Sequence, residues 1–338
     1  MDQLNEQAWR EQQVALNTHL ADIAESRGLS AALQALADHQ IESGFIRDRL
    51  AEVSRYVCHP KPGSRRYFSA QFNPARGRRF AGAGLHVPPE GAESVHGGCF
   101  LCARNIWWQQ QGAEMGFRLP LVGGRYIAWM NPFPLAPTHC VVASDKHVPQ
   151  CWGSDSVTLM KMIDDLLTMV DALPGWIGFY NGEGAGASIL GHLHFHLLPR
   201  PPGYGPMPME LAARNDQEGS LIEDAYPVSF MHWRGQRASI RTRIACWLER
   251  WQAGLKDPGQ TTANVIAIRD RESDGLDCYF VPRHKARSRA EGLEGVVGGF
   301  EVLGEIVCSS EADQKRLNSG EVDYAAIARI LSQVSVAL

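Results

Sequence analysis

The chain has 338 residues, 44% of them hydrophobic and 21% charged, and a formal net charge of −4. That is enough for one large or two ordinary domains around a buried core, with the composition of a soluble globular protein. The slight acidity argues against a nucleic-acid partner, which would call for a broadly basic surface, so any phosphate recognition is expected to be local.

No apolar run approaches the roughly 20 residues that span a bilayer, so no membrane partner is expected. The polar, charged opening MDQLNEQAWREQQ is unlike a secretory signal, which predicts a cytoplasmic location. Residues 1 to about 57 have few glycines and no proline, with Leu20, Ile23, Leu33 and Leu36 at three- and four-residue spacing, and read as helix. From Tyr67 the pattern becomes short β-like runs. Ser69 to Phe72 lead into NPARGRR, Arg125 to Met130 into NPFPLAPTH, and His139 to Ala143 form another strand. Ser154 or Asp155 is placed to cap a helix running to about Leu173, with Leu159, Met160, Ile163, Leu166, Leu167 and Val170 on its buried side. Gly175 ends it. Trp176 to Tyr180 is a strand, followed by the loop NGEGAGASILG and a strand from His192 to Leu198. PRPPGYGPMP, residues 199–208, is the best linker candidate. Beyond it come a strand from Val228 to Trp233, a helix from Ile240 to Trp251, strands Asn264 to Ile268 and Asp277 to Pro282, and a helix from Tyr324 to Val336. This order repeats that of the first half without its histidine strand, by duplication or by coincidence.

The most informative segment is GHLHFHLLP, residues 191–199. Side chains alternate faces along a strand, so His192, His194 and His196 project together while Leu193, Phe195 and Leu197 enter the core. Three surface histidines, or a three-histidine metal centre, are alternatives. The preceding NGEGAGAS is rich in glycine, which lets backbone N–H groups approach anionic oxygens, and it is no Walker loop because no Gly-Lys-Ser/Thr follows. A phosphate-cradling loop feeding a histidine strand suggests chemistry on phosphorus. Eight cysteines include a close pair, Cys99 and Cys102, whose CxxC spacing suits two thiolates on one tetrahedral zinc. Redox chemistry and plain packing are the alternatives. Cys58, Cys140, Cys151, Cys246, Cys278 and Cys308 read as small packing residues. Trp107 and Trp108 read as packing rather than as a base-stacking pair.

NGEGAGASILGHLHFHLL resembles the active-site signature of the histidine-triad superfamily. The closer likeness is to its transferase branch, which includes galactose-1-phosphate uridylyltransferase, diadenosine tetraphosphate phosphorylase and GDP-L-galactose phosphorylase. QFNPARGRR, CFLCARN and NPFPLAPTHCVVASDKH resemble that branch's nucleotide-contacting strand, zinc turn and central strand pair, and together they resemble an uncharacterised bacterial family within it. The likeness covers about 65 to 200 well.

The resemblance implies an α+β fold of antiparallel sheets with flanking helices in two tandem histidine-triad-like halves. A helical extension would occupy 1–60, the catalytic half 61–200 and a degenerate second half 209–338. It also implies that His194 attacks a nucleotide α-phosphorus, forming a nucleotidyl-histidine that an acceptor then relieves. Ser188 with Gly184, Gly186 and Ala187 would hold phosphate oxygens, Asn181 would position nucleophile or phosphate, and Asn73, Arg76, Arg78 and Arg79 would meet the nucleotide. Turn chemistry is the alternative for Asn181 and Ser188, and a solvated face for the arginines and for the run RHKARSR, Arg283 to Arg289. By the branch's pattern His147 and His192 complete a structural zinc site with the cysteine pair. The substrate implied is a nucleoside diphosphate sugar or dinucleoside polyphosphate, and the acceptor phosphate or a sugar phosphate. Oligomeric state stays open, a homodimer included. One departure is His196, where the branch usually has glutamine. Histidine can also act as a general acid, so a hydrolase working through the same intermediate is the alternative, as is a binding protein without turnover.

Overall fold

The structure, a computed structural model, describes residues 6–337 except 48, 49, 82, 83, 154, 202, 215–220, 223, 224 and 273; the side chains of residues 79–81 also lie outside the description. Two helices, α1 (Glu6–Arg27) and α2 (Leu29–Glu42), lead into strands β1 (Ser54–Cys58) and β2 (Phe68–Phe72). Helix α3 (Ala103–Gln109), strands β3 (Phe117–Arg118), β4 (Tyr126–Met130) and β5 (Cys140–Ser144), helix α4 (Ser156–Asp171), and strands β6 (Trp176–Asn181) and β7 (His194–Pro199) follow. Next come α5 (Pro208–Ala213), β8 (Leu221–Ile222), β9 (Phe230–Gly235), α6 (Arg237–Ala253), β10 (Thr261–Arg269) and β11 (Leu276–His284). The chain ends with α7 (Gly299–Val302), β12 (Glu305–Cys308), α8 (Glu311–Ser319) and α9 (Tyr324–Val334). The chain order β4-β5-α4-β6-β7 is repeated by β8-β9-α6-β10-β11. Among the described residues no helix is long and apolar enough to cross a membrane.

The elements form two compact units. One comprises residues 1–51, 78–150 and 189–199, the other 52–77, 151–188 and 200–338. In the first, antiparallel strands run in the order β3-β4-β5-β7, with α1, α2 and α3 against them. Directly opposed residues of antiparallel strands share a face, so Ile127, Ala143 and His194 form one row, and Trp129, Val141 and His196 the next. That face is filled by an apolar cluster in which Trp9 of α1 and Trp107 and Trp108 of α3 meet Trp129. Trp107 and Trp108 are therefore packing residues, as their sequence setting suggests.

In the second unit the antiparallel order is β6-β10-β11-β9-β8, and a smaller sheet runs β1-β2-β12, with β12 parallel to β2. Helix α4 packs on β6 and β10. Its N-cap is Asp155, whose carboxylate accepts from the N–H groups of Val157 and Thr158; the other cap candidate, Ser154, lies outside the described residues. Leu159, Ile163, Leu166, Leu167 and Val170 are buried as predicted, whereas Met160 is half-buried.

Three expectations need correcting. The N-terminal helical stretch is broken at Gly28, whose φ is 88°, and ends by Glu42. Its last residues instead form β1, because Tyr56 and Val57 favour strand and the segment pairs with β2. The PRPPGYGPMP stretch is tied down: Arg200 forms ion pairs with Glu210 and Asp270, Tyr204 donates to Glu305, and Met207 is fully buried. Of the six remaining cysteines, Cys140, Cys278 and Cys308 are buried, but Cys246 is exposed.

Candidate functional site: a cysteine–histidine cluster, a histidine strand and a glycine loop

Cys99, Cys102, His147 and His192 come together in the first unit, with one ligand atom of each within 4.8 Å of all the others. Local chemistry builds the turn that presents the thiols. Cys102 is the N-cap residue of α3, and the Asn105 amide donates to the carbonyls of Val95 and Cys99 while its oxygen accepts from the Val95 N–H. His147 follows β5 and His192 precedes β7. The sulfur of Cys99 lies 3.4 Å from Nδ1 of His192, and that of Cys102 lies 3.3 Å from Nδ1 of His147 and 3.5 Å from Nδ1 of His192. Tetrahedral zinc, with bonds of roughly 2.3 Å to sulfur and 2.0–2.1 Å to nitrogen, places its ligand atoms about 3.5 Å apart. The observed edges match that size.

Proton placement also suits a metal. His192 Nε2 lies 2.7 Å from the Ser144 carbonyl, which only accepts, so Nε2 carries the hydrogen and Nδ1 presents its lone pair to the sulfurs. The Cys99 thiol is pulled down, first by the hydrogen bond from Cys102 and also by His192. Cys102 is pushed up by the same bond and by burial. A divalent cation would hold both sulfurs as thiolates.

His194 stands on β7 and is 3% exposed. Its backbone N–H donates to Gln150 Oε1 at 2.7 Å, and Gln150 Nε2 donates to the His194 carbonyl at 2.9 Å. Its Nδ1 lies 2.8 Å from the His192 carbonyl, so Nδ1 carries the hydrogen and Nε2 keeps its lone pair. Burial lowers its pKa to about 4, so the ring is neutral near pH 7.

His196 is half-buried, its ring 5.4 Å from that of His194. Its protonation is set by His139, a residue read from the sequence only as the start of a strand. The Leu135 N–H donates to His139 Nδ1 at 3.1 Å, leaving the hydrogen of the neutral ring on Nε2. That Nε2 lies 3.0 Å from His196 Nδ1, which must therefore accept. Neutral His196 is thus an Nε2–H donor, offering what a glutamine amide would offer. Gln150 and His139 are the site residues that sequence reading missed. Both sit in or beside the NPFPLAPTHCVVASDKH segment, and only the fold shows what they touch.

The glycine loop belongs to the second unit. Asn181, 6% exposed, turns its side chain inward: Oδ1 accepts from the N–H of Gly299 at 2.7 Å and from Asn264 Nδ2 at 2.9 Å. Gly184 and Gly186 have φ of 70° and 103° and pack so closely on Lys285 and Gly298 that a Cβ would lie 2.5 Å and 2.4 Å from their Cα atoms. The loop is therefore glycine by necessity. The Ala187 N–H is engaged by the Gly182 carbonyl at 3.4 Å, whereas those of Gly184, Gly186 and Ser188 meet no acceptor among the described residues, and Ser188 is exposed. Asn73 and Arg76 are buried just after β2, in the same unit. Arg78 is exposed and belongs to the first unit, and the Arg79 side chain lies outside the described residues. The run from Arg283 is no uniform solvated face: Arg283 is buried and Lys285 pairs with Glu183 of the loop at 2.7 Å.

The antiparallel sheets with flanking helices give the chain an α+β fold. Crystal structures of yeast Ap4A phosphorylase Apa2 share it. The complex with AMP matches with a TM-score of 0.58 at 15% identity, over 89% of this chain and 96% of that one. The complex with Ap4A matches with a TM-score of 0.56 at 15% identity, over 90% and 97%. The structure of Apa2 alone also gives 0.56, at 16% identity over 90% and 94%. Residues 42–199 match a family described as "Domain of unknown function (DUF4922)". No curated protein matches the chain.

Proposed function

We propose that the chain is a nucleotidyl-transferring enzyme that cleaves a dinucleoside polyphosphate or a nucleoside diphosphate sugar through a covalent intermediate on His194. The observation that carries this reading is the fixed tautomer of His194. With its hydrogen held on Nδ1 by the His192 carbonyl, Nε2 is an unprotonated nucleophile in a preset orientation. Nε2 forms a bond to the α-phosphorus while the bond from phosphorus to the bridging oxygen breaks, and the electron pair leaves with the departing phosphate. An oxygen of the acceptor then attacks the same phosphorus, and the bond to Nε2 breaks to restore the imidazole.

His196 as a fixed Nε2–H donor supports transfer over hydrolysis. With Nδ1 engaged by His139 and Nε2 protonated, it has no lone pair left to take a proton from water. A polyphosphate or sugar-phosphate leaving group departs as an anion and needs only the hydrogen bond. The glycine loop, with Ser188 and the N–H groups of Gly184 and Gly186, is assigned the phosphate oxygens. Asn73, Arg76, Arg78 and Arg79 are assigned the nucleotide, as the resemblance implies. Cys99, Cys102, His147 and His192 are assigned one zinc, which would fold the turn under α3 and hold His192, and with it the carbonyl that orients His194.

The yeast neighbour is described as an Ap4A phosphorylase, which makes that dinucleotide the first substrate to test. Protein would be incubated with Ap4A with and without millimolar phosphate, and the adenine nucleotides counted. ADP formed only when phosphate is present, with ATP exceeding one equivalent per protein only in that mixture, is the expected outcome. AMP forming at the same rate in both mixtures would make the chain a hydrolase and overturn the transfer reading.

A further inference from the structure

The second half of the chain lacks a histidine strand, yet it holds a buried guanidinium that the chemistry above does not use. Arg283, on β11, is 1% exposed. Its Nη1 donates to Asn264 Oδ1 at 2.7 Å and to the Val297 carbonyl at 2.9 Å, its Nη2 to the Arg287 carbonyl at 3.1 Å, and its Nε has no hydrogen-bond partner among the described residues. All three acceptors are neutral, and among the described residues Arg283 forms no ion pair. The carboxylate whose charge reaches it, Glu301, already accepts from the Gly298 N–H at 2.9 Å. A cation buried without a hydrogen-bonded carboxylate is costly, and burial pulls this guanidinium down to about 10.

The contacts of Arg283 lead to the glycine loop. Only the oxygen of an amide can accept from a guanidinium, so Arg283 decides which way the Asn264 side chain points. In that orientation Asn264 Nδ2 donates to Asn181 Oδ1 at 2.9 Å and to the Ala185 carbonyl at 2.7 Å. The flipped amide would present an oxygen to both acceptors and release the loop. The backbones of Lys285 and Gly298, flanking this network, are those against which Gly184 and Gly186 close.

We infer that Arg283 and Asn264 are positioning residues through which the second half of the chain sets the phosphate-binding form of loop 181–188, with Arg283 supplying positive potential to the substrate phosphates without touching them. This rests on the loop being the phosphate site of the proposed function.

Asn264→Asp tests it most sharply. The aspartate still accepts from Arg283 and gives it a counter-charge, so the melting temperature should stay within a few degrees of wild type. It cannot donate to Asn181 or Ala185, and its charge cancels the field of Arg283. Calorimetric titration with AMP, and with adenosine as the phosphate-free probe, reads the effect. AMP binding should weaken at least about tenfold while adenosine binding is unchanged. Arg283→Gln should also weaken AMP selectively, and Arg283→Lys, which keeps the charge, should recover part of the loss. Equal losses for AMP and adenosine would mean a merely structural role and overturn the inference, as would AMP binding unchanged in N264D. Wild-type protein that binds no AMP would overturn both the inference and the function on which it rests, whereas AMP binding indifferent to both substitutions overturns the inference alone.

Discussion

Gly186→Ala isolates what the loop conformation contributes. The backbone at Gly186 has φ of 103°, and an added Cβ would lie 2.4 Å from Gly298 Cα and 3.1 Å from its nitrogen. Both neighbours are backbone, so no side chain can swing aside. Ordinary contact begins at 3.4 Å, so the loop must retreat by 3.4 − 2.4 = 1.0 Å from Gly298. A displacement of about 1 Å among groups that position a reacting phosphate costs up to about 10²-fold in rate. The strained φ adds about 1–3 kcal/mol of instability, a drop of a few degrees in melting temperature. Gly320→Ala is the control. It carries the same kind of strain, with φ of 77°, but nothing lies within 4 Å of its Cβ position, at the end of α8. Steady-state turnover of Ap4A with phosphate, beside thermal melts, should show both variants destabilised and only Gly186→Ala slowed, by about a hundredfold. Gly186→Ala turning over within about threefold of wild type would refute the argument that loop geometry sets the rate.

Cys102→Ser removes a thiolate from the four-residue cluster and should abolish near-stoichiometric zinc, read by metal analysis, and lower the melting temperature. Wild-type protein of normal stability that carries no metal would contradict the assignment. His139→Ala frees His196 Nδ1 and with it the other tautomer. Turnover should fall about fivefold, the worth of one hydrogen bond of about 1 kcal/mol, and unchanged product ratios and rate would remove His139 from the site. Leu166→Ala in α4, fully buried in the wild type, should cost about 3–5 kcal/mol in denaturant unfolding, and a loss below about 1 kcal/mol would mean the site collapses around the cavity.

Much of the site was legible because its chemistry is local. The register with Ala143 and Val141 puts His194 and His196 on one face, as the alternation predicts, but burial does not alternate with it: His192 and His194 are as buried as Leu193, Phe195 and Leu197. The helical period of Leu159 to Val170 likewise shows in α4 because that helix packs by one face. What stayed hidden depends on partners distant in sequence. β1 is a strand because β2 pairs with it, and β12 because β2 offers its other edge. Nothing in APTHC announces that His139 will meet His196, 57 residues later. Asn181 looked like a residue for phosphate or nucleophile, yet its buried oxygen serves Gly299 and Asn264, both from the second half of the chain. The basic run at 283–289 misled because sequence cannot tell a buried arginine from solvated ones.

The central claim is that His194 carries the nucleotide, and intact-mass spectrometry tests it most directly. Wild-type protein mixed with Ap4A in the absence of phosphate should gain the mass of one adenylyl group, which peptide mapping places at His194 and added phosphate releases as ADP. His194→Ala, folded and still binding AMP, should gain none. An adduct that persists in His194→Ala, or wild-type protein that turns over Ap4A without ever carrying one, would contradict the account.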